Sequence, residues 1–300
     1  MLDREQLETF ATIVECGSFE RAASALSVTR GAVSQRIRAL EESLATVLLL
    51  REKPVRPTHR GEVLLRHVKA LRVLEGATLH EVAPGRRSNA PVHMAVAVNA
   101  DSLAVWFGPV IQALLGTRRV ALEVISDDQD HTFSRLSRGE VIGCVSAQAE
   151  AIQGFAAEPL GALEYRCVAS SAFAEQQLPN GLALPALLNV PALLFDRKDS
   201  LHDTFLARHF GFAVERYLRH YIPSPEGLLN AVTRGGGYAL LPAAQVASLL
   251  KSGALVDLAP AAPMQVALHW HHWRTELPIA QELSRIVVAE ARRSLLPLPQ

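Results

Sequence analysis

The first 60 residues of the chain carry apolar side chains at helical spacing and predict three short helices. In the first helix, one apolar face is formed by residues at positions i, i+3, i+6 and i+7, namely Leu7, Phe10, Ile13 and Val14. Ser18 follows a glycine and is well placed to cap a second helix over residues 19–26. A third helix is predicted from about residue 30 to residue 45, after the polar segment 27–31. The pattern therefore indicates two helices joined by a tight polar turn.

Three further segments follow before the pattern changes. Residues 51–59 contain two prolines and three basic residues, which favour an extended loop or a short two-stranded wing. The helical period returns over residues 61–82, with an apolar stripe formed by Leu64, Val68, Leu71 and Leu74. Residues 83–91 are rich in Pro, Gly, Ser, Asn and Arg, and we interpret them as a linker.

After residue 91, runs typical of strands alternate with runs typical of helices. Strands are predicted at 92–98, 120–125, 141–147, 165–170, 191–195, 216–222, 238–242 and 264–273. Helices are predicted near 101–115, 130–138, 200–210, 225–234 and 277–295. This alternation indicates α/β units with mostly parallel sheets. A segment of about 210 residues suits two lobes better than one.

Composition narrows the functional classes without choosing one. The chain has 300 residues, of which 49% are hydrophobic, and its 30 Lys and Arg balance its 30 Asp and Glu. This neutrality argues against a uniformly basic nucleic-acid binder. Between Thr29 and Arg60, however, seven Lys or Arg stand against three Glu. A basic patch is therefore local to the third helix and the wing.

Cysteine usage and hydropathy indicate the compartment. Cys16, Cys144 and Cys167 are far apart and form neither a disulfide framework nor a paired metal motif, which fits a reducing environment. The N-terminal segment lacks the apolar core of a signal peptide, and no run of 18 apolar residues predicts a membrane span. We therefore expect a cytoplasmic protein.

The third helix has two chemically different sides. Its apolar stripe, which we expect to be buried, consists of Val33, Ile37, Leu40 and Leu44. Its outward side consists of Gly31, Ser34, Gln35, Arg38 and Glu42. Small residues, an amide and an arginine on one side allow a helix to enter a major groove and to reach base edges or phosphates. The plain alternative is a three-helix bundle whose basic side is only solvated.

The N-terminal residues resemble the LysR-type transcriptional regulators. The matching positions are Ala22-Ala23, Ala32-Val33-Ser34, Ile37, Leu40-Glu41, Arg51 and the Thr-x-x-Gly motif from Thr58 to Gly61. The resemblance implies a winged helix-turn-helix domain over residues 1–60, with its helix-turn-helix at about 19–38. It implies DNA contacts from Thr29, Arg30, Gly31, Ser34, Gln35, Arg38, Arg51, Arg56 and Thr58. The family often has Gln-Ser or Gln-Pro where this chain has Arg30-Gly31, which leaves the operator sequence open.

The same resemblance sets expectations for the rest of the chain. A linker helix and hinge over residues 61–90 would pair two chains in an antiparallel dimer. The stripe from Leu64 to Leu74 gives this helix a physical reason to pair, and packing of the stripe on its own domain is the alternative. An effector-binding domain over residues 91–300 would have two α/β lobes like those of periplasmic binding proteins. Lobe I would span about 91–163 and 265–300, and lobe II about 164–264. Ligands in such folds lie at the carboxyl ends of strands, between the lobes.

Several acids follow the predicted strands and suggest a cationic ligand. Asp101 lies beside Ser102, whose hydroxyl can bind a carboxylate, and this combination suits an amino acid. The stretches "AVNADSLAVWF", "RLSRGEVIGCVS", "GALEYRCVAS" and "LPNG" resemble the ArgP/LysG branch of the family, regulators of basic amino acid export. Together these arguments predict effector contacts from Asn99, Asp101, Ser102, Asp127, Asp128, Ser146, Asp196, His202 and Glu226. Each acid alone is equally explained as a helix cap or a solvated turn.

The resemblance completes the functional expectation. It implies a homodimer or homotetramer that binds a double-stranded DNA operator, responds to lysine or arginine, and activates an exporter gene through RNA polymerase. No cofactor, metal or catalytic residue is expected. An amino-acid-binding protein with no DNA role, or a LysR-type regulator of another amino-acid pathway, remains an alternative.

The sequence gives little support for an enzymatic function. His269 and His271 lie on one side of a predicted strand and could bind a metal, although histidines packed beside tryptophans are the simpler explanation. No HExxH, GxSxG or CxxC motif is present. The three glycines at 235–237 lack the Lys-Ser/Thr that completes a phosphate loop, and Cys144 and Cys167 lie inside apolar runs.

Overall fold

The computed structural model describes residues 2–82, 92–116, 120–126, 135–151, 154–274, 276 and 278–298. The N-terminal part contains helices α1 (Arg4–Cys16), α2 (Phe19–Ala25) and α3 (Arg30–Ser43). A two-stranded wing follows, β1 (Leu49–Leu50) paired antiparallel with β2 (Arg56–Pro57), and then the long helix α4 (His59–Val82). These elements confirm the predicted helices, the wing and the linker helix. The predicted linker at 83–91 lies outside the described residues.

The remaining elements alternate strands and helices, as predicted. The strands are β3 (Val92–Val98), β4 (Val120–Ser126), β5 (Gly143–Ser146), β6 (Phe155–Ser170), β7 (Ala192–Leu194), β8 (Arg219–Tyr221), β9 (Tyr238–Pro242), β10 (Leu255–Asp257) and β11 (Met264–Trp273). The helices are α5 (Ala100–Val105), α6 (Gly108–Leu115), α7 (Ser171–Gln177), α8 (Leu184–Leu187), α9 (Leu201–Phe210), α10 (Pro225–Thr233), α11 (Ala243–Ser252) and α12 (Pro278–Ser294).

These strands form one continuous sheet in the order β4-β3-β5-β11-β6-β9-β7-β8, with β10 paired to β6. The prediction of a mostly parallel sheet is wrong. β3 runs parallel to β4 and β5, and β7 runs parallel to β8 and β9, but every pair that involves β6 or β11 is antiparallel. The chain crosses the sheet along β6 and returns along β11, and two long strands that pair directly need no crossover helix.

The β6–β11 pair divides the sheet into two groups of shorter strands. The group β3, β4 and β5 lies on one side, and the group β7, β8 and β9 lies on the other. The largest apolar core runs across both groups and includes Trp106, Tyr165, Phe205 and Trp270. The carboxyl ends of β3 and β7 therefore approach each other across the long central pair.

Local chain geometry explains the elements that differ from prediction. The single helix predicted near 101–115 is two helices, because the chain breaks at Trp106 and Phe107 before Pro109 opens α6. The strand predicted at 216–222 spans only Arg219–Tyr221. Helices α7, α8 and α11 and strand β10 were not predicted. The short elements α7, α8 and β10 lack a clear apolar period, whereas α11 carries Ala243, Val246, Leu249 and Leu250 at helical spacing and could have been predicted.

The apolar stripe of α4 packs mainly on its own domain. Leu64 and Val68 are buried in the N-terminal core with Phe10 and Ile37, and Leu71 packs against that core. Leu74 is 43% exposed. Three of the four stripe residues therefore pack on their own domain, as in the alternative to pairing, and Leu74 is the stripe residue left outward. The outward apolar positions of α4 include Val63 as well as Leu74.

Within the described part of the chain, no helix combines the length and hydropathy needed to cross a bilayer.

Candidate functional site

The polar segment between α2 and α3 is a tight turn that redirects the chain. Ser27 adopts a positive φ of 55°, and the Val28 N–H donates to the Ala23 carbonyl oxygen at 3.0 Å. The Thr29 hydroxyl then caps α3 by accepting a hydrogen bond from the Ala32 N–H at 3.2 Å. The predicted helix-turn-helix is confirmed, and Thr29 has a structural role in it.

The two sides of α3 are separated as predicted, with one exception. Val33, Ile37 and Leu40 are buried against α1 and α2. Gly31, Ser34, Gln35 and Arg38 are exposed on the opposite side. Leu44 was predicted to be buried but is 37% exposed, because α3 ends at Ser43.

The arginines near α3 have different local roles. Arg38 has a side chain 80% exposed, and its Nε donates to a Glu42 carboxylate oxygen at 2.8 Å. Arg30 lies 3.1 Å from a Glu20 carboxylate oxygen on α2. Arg36 turns away from the exposed side and donates to Glu5 of α1 at 2.6 Å. Arg38 is therefore available to a partner, whereas Arg36 joins α3 to α1.

Some predicted DNA-contact residues of the wing are exposed, and another makes hydrogen bonds within the domain. Arg51 and Arg56 are exposed beside the two short strands. The Thr58 hydroxyl instead donates to the Val47 carbonyl oxygen at 2.8 Å and accepts from the Gly61 N–H at 3.0 Å. A Cβ at Gly61 would lie 2.2 Å from the Leu48 carbonyl oxygen. The Thr-x-x-Gly motif thus lets the wing contact the start of α4.

A cavity of about 340 Å³ opens where the carboxyl ends of β3 and β7 approach each other. Four of the predicted effector residues line it, namely Asn99, Asp101, Asp196 and His202. They come from the turns that follow β3 and β7, as expected for strand ends in such a sheet. The cavity also has an apolar wall that includes Leu193, Phe195 and Val266.

The other predicted effector residues do not line this cavity. Ser102 and Ser146 are buried, and the Ser146 hydroxyl accepts a hydrogen bond from the Gln148 N–H at 3.1 Å. Glu226 is exposed in the first turn of α10, where an acid favours the helix N-terminus. Asp127 and Asp128 lie outside the described residues.

Sequence reasoning missed several polar residues of the cavity. They are Tyr165 on β6 and Lys198, Asp199, Ser200 and Thr204 after β7. The Tyr165 hydroxyl donates to the Asp101 carboxylate at 2.7 Å. Tyr165 lies in the middle of a 16-residue strand, so no turn signal marked it. Asp199 could have been predicted from the sequence, because it lies in the same polar segment after β7 as Asp196.

Burial makes two carboxyl groups of this cavity, those of Asp101 and Asp199, weaker acids than usual. Burial raises the pKa of Asp101, the hydrogen bond from Tyr165 opposes that rise, and the nearby charge of Asp199 adds to it. Burial also raises the pKa of Asp199, against hydrogen bonds from the backbone N–H groups of Leu201 and Phe195. Both acids line the cavity, and they come from segments on different sides of the β6–β11 pair. A cation bound near a buried carboxylate favours its ionised form.

His202 is held as a neutral ring at the cavity wall. Burial lowers the pKa of its imidazole to about 4, although the neighbouring Asp203 acts in the opposite direction. The ring stacks on Tyr217 with centroids 5.5 Å apart. Asp203 in turn accepts a hydrogen bond from the Tyr217 hydroxyl at 2.6 Å. His202 therefore adds no positive charge to the cavity at neutral pH.

The alternative chemistries of the sequence have ordinary structural settings. His269 and His271 are buried in β11, and the His271 Nε2 lies 2.7 Å from the Gln148 carbonyl oxygen. The described residues contain no group of three or more His, Cys, Asp or Glu that could hold a metal ion. Burial raises the pKa of the Cys144 thiol to about 12 and that of Cys167 further, so neither is a thiolate at neutral pH.

A winged helix-turn-helix joined by a long helix to an α/β domain with an acidic cavity defines a ligand-responsive DNA-binding regulator. Residues 4–62 match the model for the bacterial regulatory helix-turn-helix proteins of the lysR family. Residues 93–292 match the LysR substrate binding domain. The chain belongs to the LysR family of transcriptional regulators, and within it to the ArgP/LysG branch.

Individual relatives agree with this placement. The chain is 36% identical over 296 residues to the HTH-type transcriptional regulator ArgP of Aeromonas salmonicida, covering 99% of both chains. It is 38% identical over 285 residues to ArgP of Photobacterium profundum, covering 95% of both. The crystal structure of ArgP from Mycobacterium tuberculosis is 35% identical, with a TM-score of 0.90 and 100% of both chains covered. Full-length LysG from Corynebacterium glutamicum with bound effector Arg is 33% identical, with a TM-score of 0.84 over 99% of this chain and 100% of that one.

Proposed function

We propose that this regulator responds to arginine or lysine and activates the gene of a basic amino acid exporter. The observation that carries the proposal is the acidic cavity, which Asp101 and Asp199 line from the segments that follow β3 and β7. The related LysG structure was solved with bound effector Arg. The alternative of an amino-acid-binding protein with no DNA role does not fit a LysR-family regulator.

The charge of the cavity supports a ligand with two cationic groups. Three carboxylates, those of Asp101, Asp196 and Asp199, stand against Lys198 among the described lining residues. An α-amino acid brings one ammonium and one carboxylate, so a neutral side chain would leave most of this negative charge uncompensated. A guanidinium or second ammonium at the end of an aliphatic stem supplies the missing charge. The apolar wall at Leu193 and Val266 suits that stem.

The position of the cavity supports a closure of the effector domain around its ligand. We propose that the domain behaves as two lobes like those of periplasmic binding proteins, with β6 and β11 as the crossing strands. A ligand that contacts both Asp101 and Asp199 would favour the form in which the two strand ends are closer. Its differential affinity for the two forms would set the size of the response.

Titration calorimetry tests the effector directly. We expect arginine and lysine to bind the full-length chain, while citrulline, which replaces the guanidinium with a neutral urea, binds at least about tenfold more weakly. Equal binding of citrulline and arginine would reject the charge argument. Binding of leucine or methionine in place of both cations would instead support a LysR-type regulator of another amino-acid pathway.

The DNA target is tested separately. We propose that the outward side of α3 and the wing bind a double-stranded operator, and that the bound regulator contacts RNA polymerase. Selection of bound duplexes from a random-sequence pool should yield one preferred site. Footprinting upstream of the neighbouring gene, with and without each amino acid, should then locate that site. A pool that remains random after selection would contradict a specific operator.

We propose that the active form is a homodimer or homotetramer in the cytoplasm, without metal or cofactor. The outward positions Val63 and Leu74 of α4 give a second copy of this helix an apolar contact. Sedimentation of wild type and of Leu74→Glu tests this assignment. A variant that sediments as wild type would exclude Leu74 from the contact between chains.

A further inference from the structure

Helix α4 contacts both the DNA-binding domain and the effector domain. On the first side, Arg72 holds α1 by donating to Glu8 at 2.6 Å and to Glu15 at 2.7 Å. On the second side, Arg66 reaches the effector domain, where its Nη1 donates to the Ser137 carbonyl oxygen. The Arg66 guanidinium also lies over the Phe155 ring, with Cζ 5.8 Å from the ring centroid.

Gly139 brings the backbone of the effector domain directly onto this helix. A Cβ at Gly139 would lie 2.9 Å from the Arg66 Cγ and 3.0 Å from its Cα. Gly139 also has a φ of +66°, which favours glycine. Its N–H donates to the Leu136 carbonyl oxygen at 2.9 Å and ends a helical turn. We call the contact of Arg66 with Ser137, Gly139 and Phe155 the α4 seam.

The α4 seam rests on the strands that end at the cavity. Phe155 and Leu136 belong to one small apolar cluster with Ala97 of β3 and Cys144 of β5. Ala97 and Cys144 are direct partners in the parallel pairing of these strands. Ala97 precedes Asn99 of the cavity by two residues, and Cys144 precedes Ala147, which lines it, by three. The strand ends at the cavity and the surface that holds Arg66 therefore share one packed cluster.

We propose that the α4 seam couples ligand binding in the cavity to the orientation of the DNA-binding domain. The seam would exist in a docked and a released form, and the ligand would bind one of them more tightly. Because α4 is packed on α1 and α3, release of Arg66 reorients the whole helix-turn-helix. The inference rests on the proposed response to arginine.

The measured quantity is the coupling ratio. We define it as the dissociation constant for the selected duplex without arginine divided by the dissociation constant in saturating arginine. For the wild-type full-length chain we expect a ratio that differs from one by at least about fivefold. Arg66→Ala and Gly139→Ala should bring it to within about twofold of one, while both variants still bind arginine in calorimetry. In the Arg66→Ala background, Gly139→Ala should have little further effect, since both changes disrupt one contact.

Gly253→Ala is the matched control for Gly139→Ala. Gly253 has a φ of +74°, and an added Cβ there would meet nothing within 4 Å. This variant carries the same kind of backbone strain without the contact, so it should keep the wild-type ratio. Arg66→Lys is the conservative variant if Arg66→Ala fails to fold, because it keeps the charge and stem but loses the planar group.

The outcomes separate the two proposals. A wild-type chain without any arginine response would overturn both the proposed effector and the seam. Wild-type coupling in Arg66→Ala and Gly139→Ala would overturn the seam alone. Equal loss of coupling in Gly253→Ala and Gly139→Ala would assign the effect to backbone strain. Loss of arginine binding in either seam variant would also reject a purely coupling role.

Discussion

The outward side of α3 and the acidic cavity differ in how far apart their residues lie along the chain. Gly31, Ser34 and Arg38 are brought to one surface by a single helix, capped by the neighbouring Thr29. Asp101, Tyr165 and Asp199 come from three separate segments and meet only because β6 carries the chain across the sheet. The first site is therefore fixed by local periodicity, and the second depends on the topology of a whole domain.

The two sites also differ in how far their charged side chains are exposed to water. The Arg38 side chain is 80% exposed and paired with Glu42 in solvent, where an ion pair contributes little to stability. In the cavity, burial raises the pKa of Asp101 and Asp199 because their charges have lost water. A ligand charge should therefore have a larger effect per contact in the cavity than a phosphate has at Arg38.

The largest expected effect is the loss of one cavity carboxylate. Asp101→Asn keeps the shape of the side chain but removes its charge, and we expect arginine affinity to fall by about 2–5 kcal/mol. Glu226→Gln is the control, because that acid is exposed and does not line the cavity. Calorimetry measures both, and duplex binding in the absence of arginine should be unchanged. Arginine binding by Asp101→Asn at wild-type strength would contradict the cavity assignment.

The second prediction concerns two nearby arginines of α3. Replacement of Arg38 should weaken DNA binding, whereas replacement of Arg36 should lower folding stability. Arg38→Ala should weaken binding to the selected duplex by about 1–3 kcal/mol and lower the slope of log affinity against log salt by about one. Arg36→Ala breaks a contact with Glu5 of α1 instead. It should cost at most about 1 kcal/mol of folding stability and leave the salt slope unchanged. Equal salt slopes for the two variants would mean that α3 docks on DNA in another orientation.

The α3 surface could be predicted from the sequence because each step was local. The stripe of Val33, Ile37 and Leu40 fixes which side of the helix is buried, and the opposite side follows from the period. Leu44 was misjudged because the stripe continues in the sequence after the helix has ended. For the α4 stripe the sequence left two alternatives open, since periodicity shows that a face is buried but not against which partner.

The cavity could be predicted only in part. Asp101 and Asp196 follow strands, and the ends of strands are where ligands bind in such sheets. Tyr165 carries no such mark, because its position beside Asp101 depends on the pairing of β6 with β11 and β9. The direction of these strand pairs was predicted incorrectly, so residues in the middle of β6 could not be placed.

The third prediction is a pH dependence that belongs to the cavity. Since burial raises the pKa of Asp101 and Asp199, these carboxyls bind protons over a pH range that lies above that of an exposed aspartate. Arginine requires the ionised form, so its affinity should rise with pH through this range and then level off, by at most about tenfold per pH unit for each proton released. Calorimetry in buffers of different ionisation enthalpy measures the released protons. A pH-independent affinity would contradict the assignment.

The variant Tyr165→Phe tests whether Tyr165 influences the pH dependence of arginine affinity. The Tyr165 hydroxyl stabilises the ionised Asp101, so its loss should raise the pKa of Asp101 further and move the rise in affinity to higher pH. We expect arginine affinity at neutral pH to fall by roughly tenfold at most, since one hydrogen bond to a charge is lost. Tyr238→Phe is the control, because the Tyr238 hydroxyl is buried and lacks a hydrogen-bond partner among the described residues. An unchanged profile in Tyr165→Phe would mean that another group sets it.

The smallest expected effect tests whether the helix-turn-helix depends on its local cap. Thr29→Ala removes the side-chain acceptor for the Ala32 N–H, and we expect a loss of about 1 kcal/mol in the free energy of unfolding. Thr29→Ser keeps the acceptor and should retain most of that stability. If Thr29 only caps the helix, both variants should bind the selected duplex with the wild-type salt slope under conditions where they are folded. A slope lowered by about one in Thr29→Ala but not in Thr29→Ser would show that the hydroxyl also contacts a phosphate. Local structure and DNA recognition would then depend on the same side chain.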